Sequence, residues 1–143
     1  MEVIIVKNDQ ELNDAFLIRK KVFIDEQNVP TEIEIDEFEN SSVHFVLYNE
    51  KVPCGAGRLR VFPSYAKVER ICILPSNRKG GSGKAIMNKI EEYAKEQNIS
   101  ILKLNAQSHA IPFYKKLGYE IISEEFFEAG IPHMTMQKTL SAV

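Results

Sequence analysis

The stretch VERICILPSNRKGGSGKAIM, residues 68–87, decides how this chain is read. An apolar run ends at Leu74 and is stopped by Pro75, which cannot donate to a sheet ladder. Three of the chain's seven glycines, Gly80, Gly81 and Gly83, follow directly. Beyond them Ile86, Met87, Ile90, Tyr93 and Ala94 recur at helical spacing, with Glu91, Glu92, Lys95 and Glu96 on the other face. In a strand, glycine turn, helix order, backbone amides can approach a ligand closely and the helix start adds partial positive charge. That combination suits a phosphate or pyrophosphate. Arg78, Lys79 and Lys84 strengthen the preference, and Ser82 lies among them.

Two phosphate motifs are excluded. A P-loop needs glycine where Arg78 stands and a hydroxyl residue where Ala85 stands. A dinucleotide fingerprint needs a third glycine at Ile86, and the strand that follows ends in Asn105 and Ala106 rather than an acid.

Outward from the loop, Glu2 to Lys7 reads as a strand and Asp9 as the N-cap of a helix carrying Leu12, Ala15, Phe16, Val22 and Phe23. Val43 to Tyr48 and Val52 to Val61 form a hairpin around Asn-Glu-Lys, with Gly55 and Gly57 marking a bulge or close packing. Lys67 to Leu74 is a third strand and Ile101 to Ala106 a fourth after the helix. A short helix begins near Pro112 and ends at Gly118, before closing strands at Tyr119 to Ser123 and Met134 to Lys138. The order β-α-β-β-β-α-β-α-β-β mixes hairpins with one β-α-β crossover, predicting an α/β (α+β) domain with a mixed sheet and helices on both faces.

At 143 residues, 44% hydrophobic and 27% charged, the chain reads as one domain over residues 1–143. Cys54 and Cys72 form no CxxC pair, and three histidines complete no zinc spacing, so no metal is expected. No apolar run approaches a membrane span and the start carries acids rather than a signal peptide, which predicts a cytoplasmic protein with no membrane partner. A net charge of −2 argues against nucleic-acid binding. Charge is nonetheless segregated: Val22 to Glu50 holds eight acids and no Lys or Arg, while Lys51 to Ile90 holds nine of the eighteen basic residues against one acid, Glu69. The segregation predicts one wall favouring cations and another favouring anions, against the plainer reading that both runs are solvated surface.

The spacing R-x-x-G-x-G at Arg78, Gly81 and Gly83 resembles motif A of the GCN5-related N-acetyltransferase (GNAT) superfamily. VFIDEQNVP (22–30), VERICILP (68–75), LNAQSHAIPFYKKLGY (104–119) and EAGIPHMTM (128–136) are similar to the small bacterial acetyltransferases called ElaA-like or YjcF-like. The resemblance implies a mostly antiparallel sheet of six to seven strands whose central strands splay to admit coenzyme A. It implies that Arg78, Lys79, Gly80, Gly81, Ser82, Gly83 and Lys84 hold the pyrophosphate of acetyl-coenzyme A, and that Ile71, Cys72 and Ile73 lend backbone groups to its pantetheine arm. Asn105 falls near the opening of the gap, Tyr114 matches the tyrosine that protonates the departing thiolate, and Glu69 lies where members often carry a base.

A phenol remains protonated at neutral pH, so Tyr114 can donate, although Phe113 and Tyr114 also read as core aromatics. Glu69 can equally pair with Arg70 or Arg58, and His109 and His133 are rival bases. Cys72, in an apolar strand, reads as an inert core thiol rather than a nucleophile. Arg19 interrupts the first helix's apolar stripe and reads as the partner of Glu34 or Asp36, ahead of the alternative that it faces a substrate carboxylate. The function implied is transfer of an acetyl group to a primary amine by direct attack in a ternary complex, the acidic run suggesting a cationic acceptor. The different class left open is a non-catalytic acyl-CoA-binding sensor on the same fold. A homodimer is compatible with either.

Overall fold

Along Ile101–Gln107, Leu102, Leu104 and Ala106 alternate with Lys103, Asn105 and Gln107, so one face of this strand is buried and the other polar. The computed structural model, which describes residues 1–140, places this strand (β5) inside an eight-stranded sheet. The other strands are β1 (Glu2–Ile5), β2 (Val43–Asn49), β3 (Val52–Val61), β4 (Ala66–Ile73), β6 (Glu120–Ile121), β7 (Phe126–Glu128) and β8 (Ile131–Thr139). Their order is β1-β2-β3-β4-β5-β8-β6, with β7 also on β8, and every pairing is antiparallel except β4 with β5.

Helices cover both faces. On one lie α1 (Asp9–Arg19), its π-helical continuation Lys20–Glu26, and α2 (Thr31–Glu34); on the other lie α3 (Ser82–Glu96) and α4 (Ile111–Lys116). Ile86, Met87, Ile90 and Ala94 of α3 pack on Phe45, Leu47, Leu59, Leu102 and Leu104. Ala15 and Ile18 of α1 pack with Val22 on Val46, Ala56 and Cys72. Each fully buried Leu or Ile contributes roughly 1.5–3 kcal/mol, so these two layers hold α1 and α3 firmly on the sheet. No helix among the described residues is long and apolar enough to cross a membrane.

The feature that makes the site is the seam between β4 and β5. Only three pairs join them, Ala66 with Leu102, Lys67 with Lys103 and Val68 with Leu104, and beyond these the strands part. The cause is a bulge in β4. Arg58 pairs with Glu69 and Ala56 with Cys72, so Arg70 and Ile71 oppose the single residue Gly57, and Arg70 takes φ +59°. Gly57 makes room, since a Cβ there would meet Ile71 Cδ1 at 2.8 Å. Gly55 is a close-packing position, where a Cβ would meet Ile73 Cδ1 at 2.8 Å.

Three expectations are corrected. The cap of α1 is Asn8, not Asp9: its Oδ1 accepts the Glu11 N–H at 2.8 Å while Glu11 Oε1 accepts from the Lys7 N–H at 2.8 Å. The sheet has eight strands, not six or seven. The closing strand expected over Tyr119 to Ser123 shrinks to β6, and the extra strand is β7; both share one edge of β8. Between them Ser123 Oγ accepts the Thr135 N–H at 2.8 Å, a side chain replacing the ladder.

Candidate active site

Where β4 and β5 part, a cleft of about 610 Å³ opens. Glu69 to Ile73 of β4 form one wall, and Asn105 and Gln107 of β5 the other. Val22, Phe23 and Gln27 of the π-helical segment and its end close one side, Phe113 and Tyr114 of α4 the other. Arg78, Gly83, His109 and His133 also line it. The structure therefore gathers most of the sequence-selected residues into one cleft. Lys79, Gly80, Gly81 and Lys84 lie exposed beside it, and Ser82 is buried with its Oγ 3.6 Å from the Met1 sulfur.

The loop conformation follows from its glycines. Gly80 and Gly81 take φ +90° and +87°, a region costly for residues bearing a Cβ, and a Cβ at either would meet no atom within 4 Å. Backbone geometry rather than crowding selects glycine there. Gly83 differs: a Cβ would meet the Phe113 ring at 3.0 Å, so its smallness lets α4 dock against the start of α3. No side chain caps α3, whose N-cap is Gly81, so its first-turn N–H groups are available to an anion. These features fit a diphosphate. Arg78 donates from Nε to the Ile73 carbonyl at 3.0 Å and grips Glu26 with both terminal nitrogens.

Tyr114 is 8% exposed, packed edge-on against Phe113 and Tyr119. Burial raises its phenol well above the ordinary value, with the Cys72 charge adding to the shift. It is an acid that never ionises at neutral pH. Burial pushes the Cys72 thiol up to about 12, which removes it as a nucleophile. Asn105 begins the parted section of β5; its Oδ1 accepts from Thr135 at 2.9 Å and its amide donates to Glu128 at 3.2 Å.

Glu69 reaches the cleft, yet its carboxylate accepts from Arg58 and from Arg60 Nε, each at 2.8 Å, with Lys67 at 3.4 Å. Burial alone would raise its pKa, but the charge and hydrogen bond of Arg58, with Lys67 and Arg60, bring it below the usual carboxylate range. His133 is arranged otherwise. Its Nδ1 lies 2.7 Å from the Ile131 carbonyl, which can only accept, so Nδ1 carries the proton and Nε2 is left as an acceptor. The ring stacks on Phe126. A reciprocal amide pair, Gln27 with Gln107, spans the cleft from the π-helical end to β5 at 2.9 and 3.3 Å.

The expected segregation into walls of opposite sign is largely cancelled, because Arg58, Arg70 and Arg78 of the basic run pair with acids of the other run. Arg19 is fully buried and donates to Glu34 and Glu39 with contacts down to 2.7 Å. Arg58, also fully buried, holds Asp36 at 2.8 Å, and Arg70 reaches Asp36 at 3.2 Å. Of the acids behind the idea of a cationic acceptor, Glu26, Glu34, Asp36 and Glu39 are engaged by arginines while Asp25, Glu32 and Glu37 stay exposed; of the two partners expected for Arg19 it takes Glu34, with Glu39 beside it. Sequence reasoning missed Glu26, Gln27 and the bulge at Arg70. The polar alternation at Lys103, Asn105 and Gln107 was the available signal for the open face of β5.

A mixed sheet parted beside a glycine-capped helix start, with a buried phenol in the gap, defines an acyltransferase-like cleft. Residues 6–140 match the family described as acetyltransferase (GNAT) domain. The uncharacterised N-acetyltransferase YjcF of Bacillus subtilis is 52% identical over 139 residues, covering 96% of this chain and 99% of that protein. Among solved structures, Escherichia coli ElaA overlays with a TM-score of 0.83 at 20% identity, covering 96% of this chain and 99% of that one. An aminoglycoside 6'-N-acetyltransferase complexed with coenzyme A overlays at 0.78 and 14% identity, covering 97% of each chain. This chain belongs to the GNAT acetyltransferase family and is an acyltransferase.

Proposed function

We propose that this protein is a cytoplasmic N-acetyltransferase that moves an acetyl group from acetyl-coenzyme A to a primary amine on a small molecule, by direct attack in a ternary complex. The observation that carries this is the parting of β4 from β5 beside the uncapped start of α3. The pyrophosphate meets the first-turn N–H groups of α3, the turn at Gly80 and Gly81, and the charges of Arg78, Lys79 and Lys84. The free edge of Ile71, Cys72 and Ile73 offers hydrogen bonds to the pantetheine arm, with Asn105 across the gap. The complex of a structural neighbour with coenzyme A supports this use of the fold.

An amine with a lysine-like pKa near 10.4 is protonated at pH 7 and must lose a proton before attack. As its nitrogen bonds to the thioester carbon, the carbon–sulfur bond breaks, Tyr114 gives its proton to the sulfur, and the second proton shed by the acylated nitrogen restores the phenol, leaving an amide and a free thiol. Of the base candidates Glu69, His109 and His133, the free Nε2 of His133 favours that residue; Glu69, held by Arg58 and Arg60, contributes by fixing the wall. No step in this scheme requires a metal.

The test is calorimetric titration with acetyl-coenzyme A, then detection of free thiol across a broad amine panel. Binding with turnover on at least one amine is expected. Binding without thiol release from any amine supports the alternative, a non-catalytic acyl-CoA sensor; no binding overturns both.

A further inference from the structure

Three cations stand side by side on one face of the sheet, and the middle one, Lys67, lines the cleft. Arg60 of β3 is in register with Lys67 of β4, and Lys67 with Lys103 of β5. Directly paired residues project on the same face with strands about 4.8 Å apart, and like charges so opposed are destabilising. The carboxylate nearest them is Glu69, which also serves Arg58. Lys67 approaches it only to 3.4 Å, and Lys103 has no ion pair among the described residues; its Nζ rests 4.5 Å from the Tyr65 ring centroid. Arg60 lies over Phe38 at 4.0 Å, so one side of the row is fixed by an aromatic plate.

The acids braced beside this face or lining the cleft are mostly engaged, Glu26 by Arg78. Glu34 and Glu39 are held by Arg19, and Asp36 by Arg58 and Arg70. The exception is Glu128, exposed on the opposite lip and touched by Asn105. The cleft therefore has a cationic row at the closed end of the seam and one available carboxylate across the opening. Lys67 lines the cleft three residues before the bulge at Arg70–Ile71, roughly 10 Å along the strand.

Building on the proposed transferase, we infer that the acceptor is an amine that also carries an anionic group, a carboxylate or phosphate, which Lys67 and Lys103 bind while the amine points into the gap between β4 and β5. The chemistry that recognises it is two ammonium donors of unequal freedom beside a braced guanidinium, the complement of a two- or three-oxygen anion. Charge complementarity of this kind selects the substrate more than it accelerates transfer.

The experiment compares matched probes: the protein amino acids against their amides, 3-aminopropyl phosphate against 3-aminopropanol, and spermidine as a cationic amine. Free coenzyme A release is measured with wild type and with Lys103→Gln, which breaks no ion pair, and Lys67→Gln. In parallel, calorimetry follows binding of each probe to the protein saturated with coenzyme A, so a failed transferase reading is seen separately from a failed anion site. Anionic members should exceed their neutral partners by at least tenfold in kcat/KM or in affinity. That ratio should fall about tenfold in Lys103→Gln, and added salt should weaken it. Better use of amino acids than of aminopropyl phosphate assigns a carboxylate, the reverse a phosphate. Preferential binding without turnover leaves the site standing and removes the transferase reading. Equal use of charged and neutral partners, preference for spermidine, no binding of any anionic member, or a ratio unchanged in both variants overturns the inference.

Discussion

Arg78 and Glu26, 52 positions apart in the chain, are joined fork to fork, Nη1 to Oε2 at 2.8 Å and Nη2 to Oε1 at 2.5 Å. The pair ties the end of the π-helical segment to the glycine turn at the mouth of the cleft. Both side chains are about 40% exposed, at 42% and 39%, so the pair adds little to stability. In the proposed binding mode its weight falls on the ligand, because a diphosphate would compete with Glu26 for one guanidinium. Glu26→Gln should tighten coenzyme A binding a few-fold, on the order of 1 kcal/mol at most, and Arg78→Gln should weaken it. Weaker binding by Glu26→Gln in calorimetry would show instead that the carboxylate holds Arg78 in place for the ligand.

Tyr114→Phe keeps the ring between Phe113 and Tyr119 and removes only the hydroxyl. With an amine for which chemistry limits the rate, kcat should drop about 10²-fold while coenzyme A affinity holds, the usual range for one lost acid. Wild-type kcat in that assay would make Tyr114 a core aromatic alone.

Cys72→Ala should leave turnover within about twofold, because a thiol raised to about 12 holds a negligible thiolate fraction at neutral pH. A loss beyond tenfold in a variant with wild-type circular dichroism would revive a covalent route.

Two of the three base candidates, His133 and Glu69, give different pH profiles. His133→Gln should lower kcat/KM most near neutral pH and recover as the free amine accumulates in alkali. Glu69→Gln should lose activity evenly across pH, since its carboxylate is committed to Arg58 and Arg60. Recovery of Glu69→Gln in alkali would transfer the role of base to Glu69.

Acid should unfold this protein in two stages. Burial holds the His44 imidazole below its ordinary value of 6.5, while its Nε2 donates to the Glu39 carbonyl and its Nδ1 is buried without a partner. The unfolded chain therefore takes up this proton first, and the stability contributed is present above pH 6.5 and lost as pH falls below it. For Glu39 burial acts upward, but Arg19 brings the carboxyl down to about 2, and Asp36 and Glu69 are also lowered. The Glu39 contribution is present above its ordinary value of 4.5 and is lost from there toward 2, and those of Asp36 and Glu69 are likewise lost as pH falls below their ordinary values. Urea melts at stepped pH should show both limbs, the upper one absent in His44→Gln. Arg19→Met, which leaves Glu39 only Arg58 at 3.1 Å and Glu34 only Arg70 at 3.6 Å, should cost about 3 kcal/mol at pH 7.

What could be read from sequence was local. The hairpin of Val43–Tyr48 and Val52–Val61 announced itself as two apolar runs around Asn-Glu-Lys, and α4 by Pro112 and Gly118, whose φ of +98° ends the helix as expected. The glycine turn was legible because its chemistry lies within a few residues. Arg19 with Glu39, or Arg58 with Asp36, join positions 20 and 22 apart that no periodicity links, so the acids of residues 25–39 looked like an open surface. Strand β7 escaped notice because its three residues alternate too briefly and its turn uses Ala129 at φ +52°. Lys67 facing Lys103 depends on a parallel register set by how α3 packs, which neither strand encodes alone.

The early end of the β4–β5 ladder creates an edge inside the sheet. Unpaired strand borders normally lie at the rim, where they invite pairing with other chains and aggregation. Here Glu69–Ile73 and Asn105–Gln107 carry such borders facing each other, shielded by Phe23 and Gln27 on one side and by Phe113 and Tyr114 on the other. A strand from a second molecule is kept out, while a slender chain bearing its own amides can enter. The hazard of an exposed border becomes a selective slot, and the protein keeps backbone hydrogen-bonding capacity in reserve for a ligand without offering it to its neighbours.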